Sequence, residues 1–134
     1  MSNPITYNTT IVPDPQQIID LYESAGLKRP THDAERIKKM YDNSDLVITA
    51  WDGDLLVGVS RALTDYGYSC YLSDLAVRQG YKQQGIGKTL VAKTKETAGP
   101  QSMLLLLAAP VALNYYPKIG MKPLTNAYWL NREE

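Results

Sequence analysis

A segment in the second half of the chain combines two glycines with charged and polar residues: Lys82-Gln83-Gln84-Gly85-Ile86-Gly87-Lys88-Thr89. Glycine can adopt a positive φ and lets the main chain approach a ligand closely. A helix is predicted to start within the segment, and the free N–H groups and dipole of a helix start bind anions, phosphate in particular. Five basic residues and no acidic one lie between positions 78 and 95, namely Arg78, Lys82, Lys88, Lys93 and Lys95. The segment therefore predicts a phosphate-binding loop.

Two common phosphate-binding motifs fail at a defining position. A nucleoside-triphosphate P-loop ending at Gly87-Lys88-Thr89 requires glycine five residues before Gly87, where this chain has Lys82. The dinucleotide fingerprint requires a third glycine where Leu90 stands, and a parallel rather than antiparallel sheet before it. A glycine-rich turn that binds nothing stays an alternative.

The elements that would position this loop follow from periodicity. Apolar residues at helical spacing predict a helix over Asp14–Ala25, with Gly26 just past its end. A second helix is predicted from Thr31 as N-cap to about Tyr41, with Asp33 in its first turn.

Strand-like patterns come next along the chain. Leu46–Trp51 and Leu55–Leu63 flank an Asp-Gly turn, and Tyr68–Val77 forms a third strand, so three consecutive antiparallel strands are expected. Ile86–Ala98 is predicted to be a helix, with Ile86, Leu90 and Val91 facing the core.

The continuous apolar run Met103–Ala109 is typical of a strand buried on both faces. Strand, loop, helix and buried strand make a βαβ unit, so the strands at Tyr68 and Met103 should be parallel. A short helix from Pro110 to Lys118 and a final strand over Asn126–Leu130 are expected. The pattern predicts one mixed α/β domain over residues 1–134.

Composition excludes several classes of protein. The 134 residues contain one cysteine, Cys70, and one histidine, His32, so no zinc site can form from Cys and His of one chain, and no metal is expected. A net charge of zero argues against nucleic-acid binding. The longest apolar stretch, Met103–Val111, is too short to span a bilayer, and Met1–Thr10 lacks the pattern of a signal peptide. We therefore expect a soluble cytoplasmic protein without a membrane or nucleic-acid partner.

Several segments together resemble a known family. The loop pattern Gln/Arg-x-x-Gly-x-Gly/Ala between a strand ending in Leu-x-Val and a helix resembles the acetyl-CoA loop of the GNAT superfamily of N-acetyltransferases. The hairpin over residues 51–58 and the strand end Ser73–Val77 are similar to the family's second to fourth strands. Tyr115-Tyr116-Pro117-Lys118-Ile119-Gly120-Met121 is similar to its Phe-Tyr-x-Lys-x-Gly-Phe segment.

The resemblance implies a mostly antiparallel mixed sheet with one parallel, splayed strand pair, flanked by about four helices. Acetyl-CoA, the implied cosubstrate, would place its pantetheine arm in the splay, against main chain of the fourth strand, and its diphosphate on the loop. The cofactor-binding residues implied are Leu75, Ala76, Val77, Lys82, Gln83, Gln84, Gly85, Ile86, Gly87, Lys88, Thr89 and Tyr116. Two positions depart from the pattern: Lys82 replaces Gln or Arg, and Ala109 replaces an Asn that contacts the cofactor in many members.

The resemblance also implies catalytic roles. Tyr116 would protonate the departing CoA thiolate. Asp74 is either a general base or a structural hydrogen-bonding residue, because strand alternation puts Tyr71, Ser73, Leu75 and Val77 on one face and Asp74 on the other. Ser73 stands where many members that use a base carry Glu, and water relayed by Ser73 or Tyr71 is another route.

The resulting hypothesis is acetyl transfer from acetyl-CoA to a primary amine of a small molecule or peptide. A degenerate member that binds acyl-CoA as a regulator or sensor is the alternative, and a histone-like protein acetylator is a weaker one. A homodimer is possible, as dimers are common in the family. The resemblance places acceptor recognition on the first two helices and the last strands, which carry Tyr22, Glu23, His32, Tyr41, Tyr66, Tyr68, Tyr128 and Trp129.

Overall fold

The computed structural model describes residues 4–134. Residues 1–3, which belong to the segment considered above for a signal peptide, lie outside this range. Five strands form one sheet in the order β1-β2-β3-β4-β5. The strands are β1 (Thr6–Asn8), β2 (Leu46–Asp52), β3 (Leu55–Thr64), β4 (Ser69–Val77) and β5 (Met103–Leu106), and the helices are α1 (Pro15–Ala25), α2 (Ala34–Asp42), α3 (Ile86–Ala98) and α4 (Tyr115–Lys118). The predicted mixed α/β fold is confirmed.

The predicted strand directions are confirmed as well. β2, β3 and β4 are consecutive antiparallel neighbours, and β4 pairs with β5 in parallel across α3. β1, which pairs antiparallel with β2, was not predicted, since three residues are too few to show an alternating pattern.

Local side-chain chemistry sets the helix starts. Asp14 accepts a hydrogen bond from the Gln17 N–H and Gln17 reaches back to the Asp14 N–H, so α1 begins with a capping box. α2 is capped by Asp33 rather than by Thr31, which corrects the prediction: the Asp33 carboxylate accepts from the Arg36 N–H at 3.0 Å.

Among the described residues, no helix combines the length and hydropathy that crossing a bilayer would require.

Two apolar clusters cover opposite faces of the sheet. Successive residues of β2 divide between them, because Val47 packs with α1 and α2 whereas Ile48 packs under α3. Ile86, Leu90 and Val91 of α3 are buried as predicted, with Val91 9% exposed. The sheet is therefore held between α1 and α2 on one side and α3 on the other, which fixes the start of α3 beside the end of β4.

The segment after α3 differs from prediction. β5 ends at Leu106, and Met103 and Leu107 are each 53% exposed, so the run is not a strand buried on both faces. β5 is the last strand of the described sheet and has only β4 beside it. The prediction of a final strand over residues 126–130 is wrong. In the structure this segment pairs with no described strand, and its residues are exposed. The single helix predicted from Pro110 to Lys118 is a 3₁₀ turn over Pro110–Ala112 followed by α4.

Candidate functional site

β4 and β5 separate partway along their length. They pair from Ser69 opposite Met103 to Leu72 opposite Leu106 and no further. Beyond that point Leu75, Ala76 and Val77 pair only with β3. One side of their main chain therefore faces an opening between the two strands, and this is the splay that the resemblance implies.

A bulge in β4 lies at the beginning of this opening. Arg61 of β3 stands opposite Asp74, but the next residue, Ala62, stands opposite Leu72, so Ser73 is an extra residue. Cys70 accordingly packs into the cluster under α3 together with Leu75 and Val77, although strict alternation would place it on the other face. The prediction that residues 71, 73, 75 and 77 share one face is wrong before the bulge.

The glycine loop leads into an uncapped helix start. Gly80, Gln83 and Gly85 have φ values of 92°, 68° and 79°, and Gly85 is the N-cap of α3. No side chain caps this start, and the bond from the Thr89 N–H to the Gly85 carbonyl leaves three earlier N–H groups without a helical partner. A left-handed conformation at the non-glycine Gln83 is strained, which is common where a loop is shaped for a ligand.

The basic residues around the loop do not form one cluster. Arg78 donates to the Leu56 carbonyl, Lys82 to the Ala25 carbonyl and Lys95 to the Gly99 carbonyl. Lys93 lies over the Tyr7 ring, 5.3 Å from its centre. Lys88, in the first turn of α3, is exposed. The charge of the run is therefore spread over the fold, and main-chain N–H groups with Lys88 provide most of what an anion would meet.

α4 brings two phenols to the same place. A Cβ atom built on Gly87 would lie 2.6 Å from the Tyr115 hydroxyl and 3.8 Å from Val77 Cγ2, so Tyr115 reaches the start of α3 and the end of β4. The Tyr116 ring meets that of Tyr115 edge-on, with centroids 5.2 Å apart. Burial raises the pKa of Tyr116, and the neighbouring Tyr115 raises it further, so the Tyr116 hydroxyl keeps its proton at neutral pH.

Asp74 is fully buried, and its carboxylate is held by four donors. It accepts hydrogen bonds from the Tyr22 hydroxyl (2.7 Å), Arg29 Nε (2.7 Å), Arg61 Nε (2.8 Å) and Ser73 Oγ (3.2 Å). Burial raises the pKa of Asp74, but the hydrogen bond and charge of Arg61 and the charge of Arg29 outweigh it, so the pKa is lowered overall. A carboxylate that is ionised and fully hydrogen-bonded is a poor proton acceptor.

Tyr22 and Tyr41, which were expected to contact the acceptor, belong instead to the buried hydrogen-bond network around Asp74. Tyr41 donates to the Tyr22 hydroxyl, which in turn donates to Asp74, and both rings are buried. His32, Tyr66, Tyr68, Tyr128 and Trp129 are exposed.

Sequence reasoning missed Arg29 and Arg61. Arg61 is 7% exposed and is the only charged residue of β3, and that position was the signal that it needed a buried partner.

Comparison with known proteins agrees with this geometry. Residues 15–121 match the model of the acetyltransferase (GNAT) family. An uncharacterized N-acetyltransferase from Prochlorococcus marinus is 27% identical over 123 residues, which cover 84% of this chain and 67% of that relative.

Two solved structures share the fold. A probable acetyltransferase of unknown function from Staphylococcus aureus superposes with a TM-score of 0.80 at 21% identity, covering 96% of this chain and 100% of that one. An aminoglycoside N-acetyltransferase in complex with CoA superposes with a TM-score of 0.75 at 11% identity, covering 99% and 97%. The family match extends over most of the chain, from α1 to the end of the Tyr-Tyr segment, and the protein belongs to the GNAT family of acetyltransferases.

Proposed function

We propose that this protein is an N-acetyltransferase that moves the acetyl group of acetyl-CoA to a primary amine of a small molecule or peptide. The observation that carries the proposal is the opening between β4 and β5 beside the uncapped start of α3. A thioester with a long polar arm and a diphosphate needs such a combination of cleft and anion site. The structural neighbour with bound CoA supports the same cosubstrate.

In this proposal the main chain holds the cosubstrate. The pantetheine arm lies along residues 75–77, whose main chain faces the opening, and the diphosphate lies on the N–H groups of residues 83–88. Lys88 adds a free positive charge at the start of α3. Lys82 and Thr89 border the same loop, although Lys82 now bonds the end of α1 and would have to turn to reach a phosphate.

Transfer needs three events around the thioester. The lone pair of a neutral amine attacks the carbonyl carbon, and main-chain N–H groups near Val77 stabilise the oxyanion that forms. The carbon–sulfur bond then breaks, and the sulfur leaves as a thiolate. Tyr116, which is protonated at neutral pH, donates its proton to that thiolate and regains one from solvent, while the amine nitrogen loses a proton to solvent.

We infer that Asp74 is not the base. Its four hydrogen bonds and lowered pKa fit the structural alternative, in which it joins α1, β3 and β4. The acceptor would then enter as the free amine, or lose its proton through water held by Ser73 or Tyr71. An alkyl amine has a pKa of about 10, so turnover should rise with pH through the neutral range.

The opening between β4 and β5 beside the uncapped start of α3 also favours a second candidate, a CoA-binding sensor without turnover. A family member that lacks a base could retain the cosubstrate site alone. Two measurements separate the candidates. Titration calorimetry with CoA tests the site, and release of CoA thiol from acetyl-CoA across polyamines, aminosugars, amino acids and peptides tests the chemistry. Binding with turnover of at least one amine supports the enzyme, binding without turnover supports the sensor, and absence of CoA binding refutes both.

The remaining expectations belong to this proposal too. We propose that residues 1–134 act as one domain in the cytoplasm, with acetyl-CoA and an amine as partners, without a metal, a membrane or a nucleic acid. Gel filtration with light scattering would decide between a monomer and a homodimer.

A further inference from the structure

Gly87 has a structural reason to be glycine that differs from that of Gly85. Gly85 has a left-handed φ of 79°, whereas Gly87 lies within α3 and is not among the positive-φ residues. What Gly87 lacks room for is a side chain, since its Cβ would lie 2.6 Å from the Tyr115 hydroxyl and 3.5 Å from Tyr115 Cζ. The missing methyl group therefore makes space for the hydroxyl of Tyr115.

This hydroxyl lies beside the opening rather than in the core. The Cβ position built on Gly87 is close to this hydroxyl and lies 3.8 Å from Val77 Cγ2, and Val77 is the last residue of β4, beyond the place where β5 has separated. Within residues 4–134 the Tyr115 hydroxyl makes no hydrogen bond, and the residue is 37% exposed. Burial raises the pKa of Tyr115, so the group keeps its proton and can act as a donor.

Tyr115 also stands where the Phe-Tyr segment of the family pattern has Phe. A ring alone would pack equally well on α3, so the hydroxyl is an addition of this chain. A pantetheine arm carries two amide groups, and an amide carbonyl that enters a partly apolar cleft loses stability unless it meets a donor. The main chain of β4 can supply donors on one side of the arm only.

We propose that the Tyr115 hydroxyl is a cofactor-binding group that donates a hydrogen bond to an amide carbonyl of the pantetheine arm where the arm passes the end of β4 and the start of α3. This inference rests on the proposed acetyl-CoA site and assigns it a residue that the Phe-Tyr pattern does not imply. Tyr116 keeps the role of acid, and Tyr115 binds and orients the arm.

The test compares CoA with a fragment that lacks the arm. Tyr115→Phe should weaken CoA binding about fivefold by calorimetry, the value of one neutral hydrogen bond, and raise the KM for acetyl-CoA similarly. Binding of adenosine 3′,5′-bisphosphate should not change. Tyr7→Phe is the matched control, because Tyr7 is half-buried on β1, at the opposite edge of the sheet, and should change neither affinity.

A second measurement tests the geometry without any ligand. Gly87→Ala should lower the thermal midpoint of the parent, where the methyl group meets the hydroxyl, but not that of the Tyr115→Phe variant, where helix propensity favours alanine. Unchanged CoA affinity in Tyr115→Phe, or an equal loss for the bisphosphate, overturns this inference while the acetyl-CoA site stands. If the parent protein binds no CoA, the inference and the proposed function fall together.

Discussion

Replacing Asp74 by Asn separates a structural carboxylate from a catalytic base. Asn keeps the size of the side chain but removes the charge and one acceptor oxygen. Arg61, only 7% exposed and bonded to Asp74 at 2.8 Å, would lose its counter-ion, and Arg29 would lose its partner on the other oxygen. The predicted damage is therefore to folding and not to the proton transfers.

The size of the effect follows from the burial of the pair. Removing one partner of a buried ion pair costs about 3–5 kcal/mol, because the other charge remains in a poorly solvated site. For a chain of this length the loss corresponds to a decrease of roughly 12–20 °C in the unfolding midpoint. A general base, in contrast, contributes roughly 10²–10⁴-fold to turnover and little to stability.

Urea unfolding at 10 °C gives the free energy of unfolding, and CoA-thiol release at the same temperature gives turnover per folded molecule. Asp42→Asn is the matched control, since Asp42 pairs with Lys38 on the surface, with side-chain exposures of 55% and 65%. It should lose less than about 0.5 kcal/mol.

If Asp74→Asn does not fold, Tyr22→Phe leaves the charge but removes one donor to Asp74 and the acceptor of the buried Tyr41 hydroxyl, at a cost of about 2–4 kcal/mol. An Asp74→Asn protein as stable as the parent, with turnover reduced a hundredfold, would refute the structural assignment.

Three further predictions concern the same site. Tyr116→Phe should reduce turnover tenfold or more, about 1.4 kcal/mol in barrier, with little change in CoA affinity, and unaltered turnover would remove Tyr116 from the chemistry. Gly85→Leu and Gly99→Leu should both destabilise the fold, because φ is 79° and 99°, but calorimetry should detect weaker CoA binding only for Gly85→Leu, at the loop. Because the pKa of Asp74 is lowered on folding, its contribution to stability is complete above the unfolded pKa of about 4 and decreases as pH falls through the folded value. The difference in unfolding free energy between the parent and Asp74→Asn should therefore shrink between pH 5 and pH 2, and a constant difference would contradict the lowered pKa.

Features that depend on neighbours in the chain could be predicted from the sequence. α3 begins at Ile86 and ends at Ala98 as expected, because the glycines at both ends are local signals. The hairpin from β2 to β3 has the same origin, since a short polar turn separates two β-rich runs. The candidate cosubstrate loop belongs to this class, because a contiguous segment forms it.

Features that depend on partners distant in sequence could not be predicted in the same way. The apolar run at Met103 indicates a strand but does not say whether another strand lies beyond it, and β5 proved to be an edge. The bulge at Ser73 is visible only in the register of β3 against β4. The ion pair between Arg29 and Asp74 joins residues 45 positions apart, and no periodicity reports such a contact.

The donor and acceptor halves of the proposed reaction also differ in how far they depend on residues that are distant in sequence. The donor half uses main chain of β4, a glycine loop and phenols of α4, so its chemistry depends on backbone shape and on a few local residues. The acceptor half was expected to use side chains of α1 and α2, but Tyr22 and Tyr41 point inward to Asp74 and help to fix the bulged strand. A side chain that is committed to a buried network cannot also contact an acceptor. In the proposed reaction, selectivity for the acceptor would then depend on other side chains, and no local sequence pattern identifies them, whereas the acetyl-CoA loop is a contiguous segment whose pattern resembles that of the family.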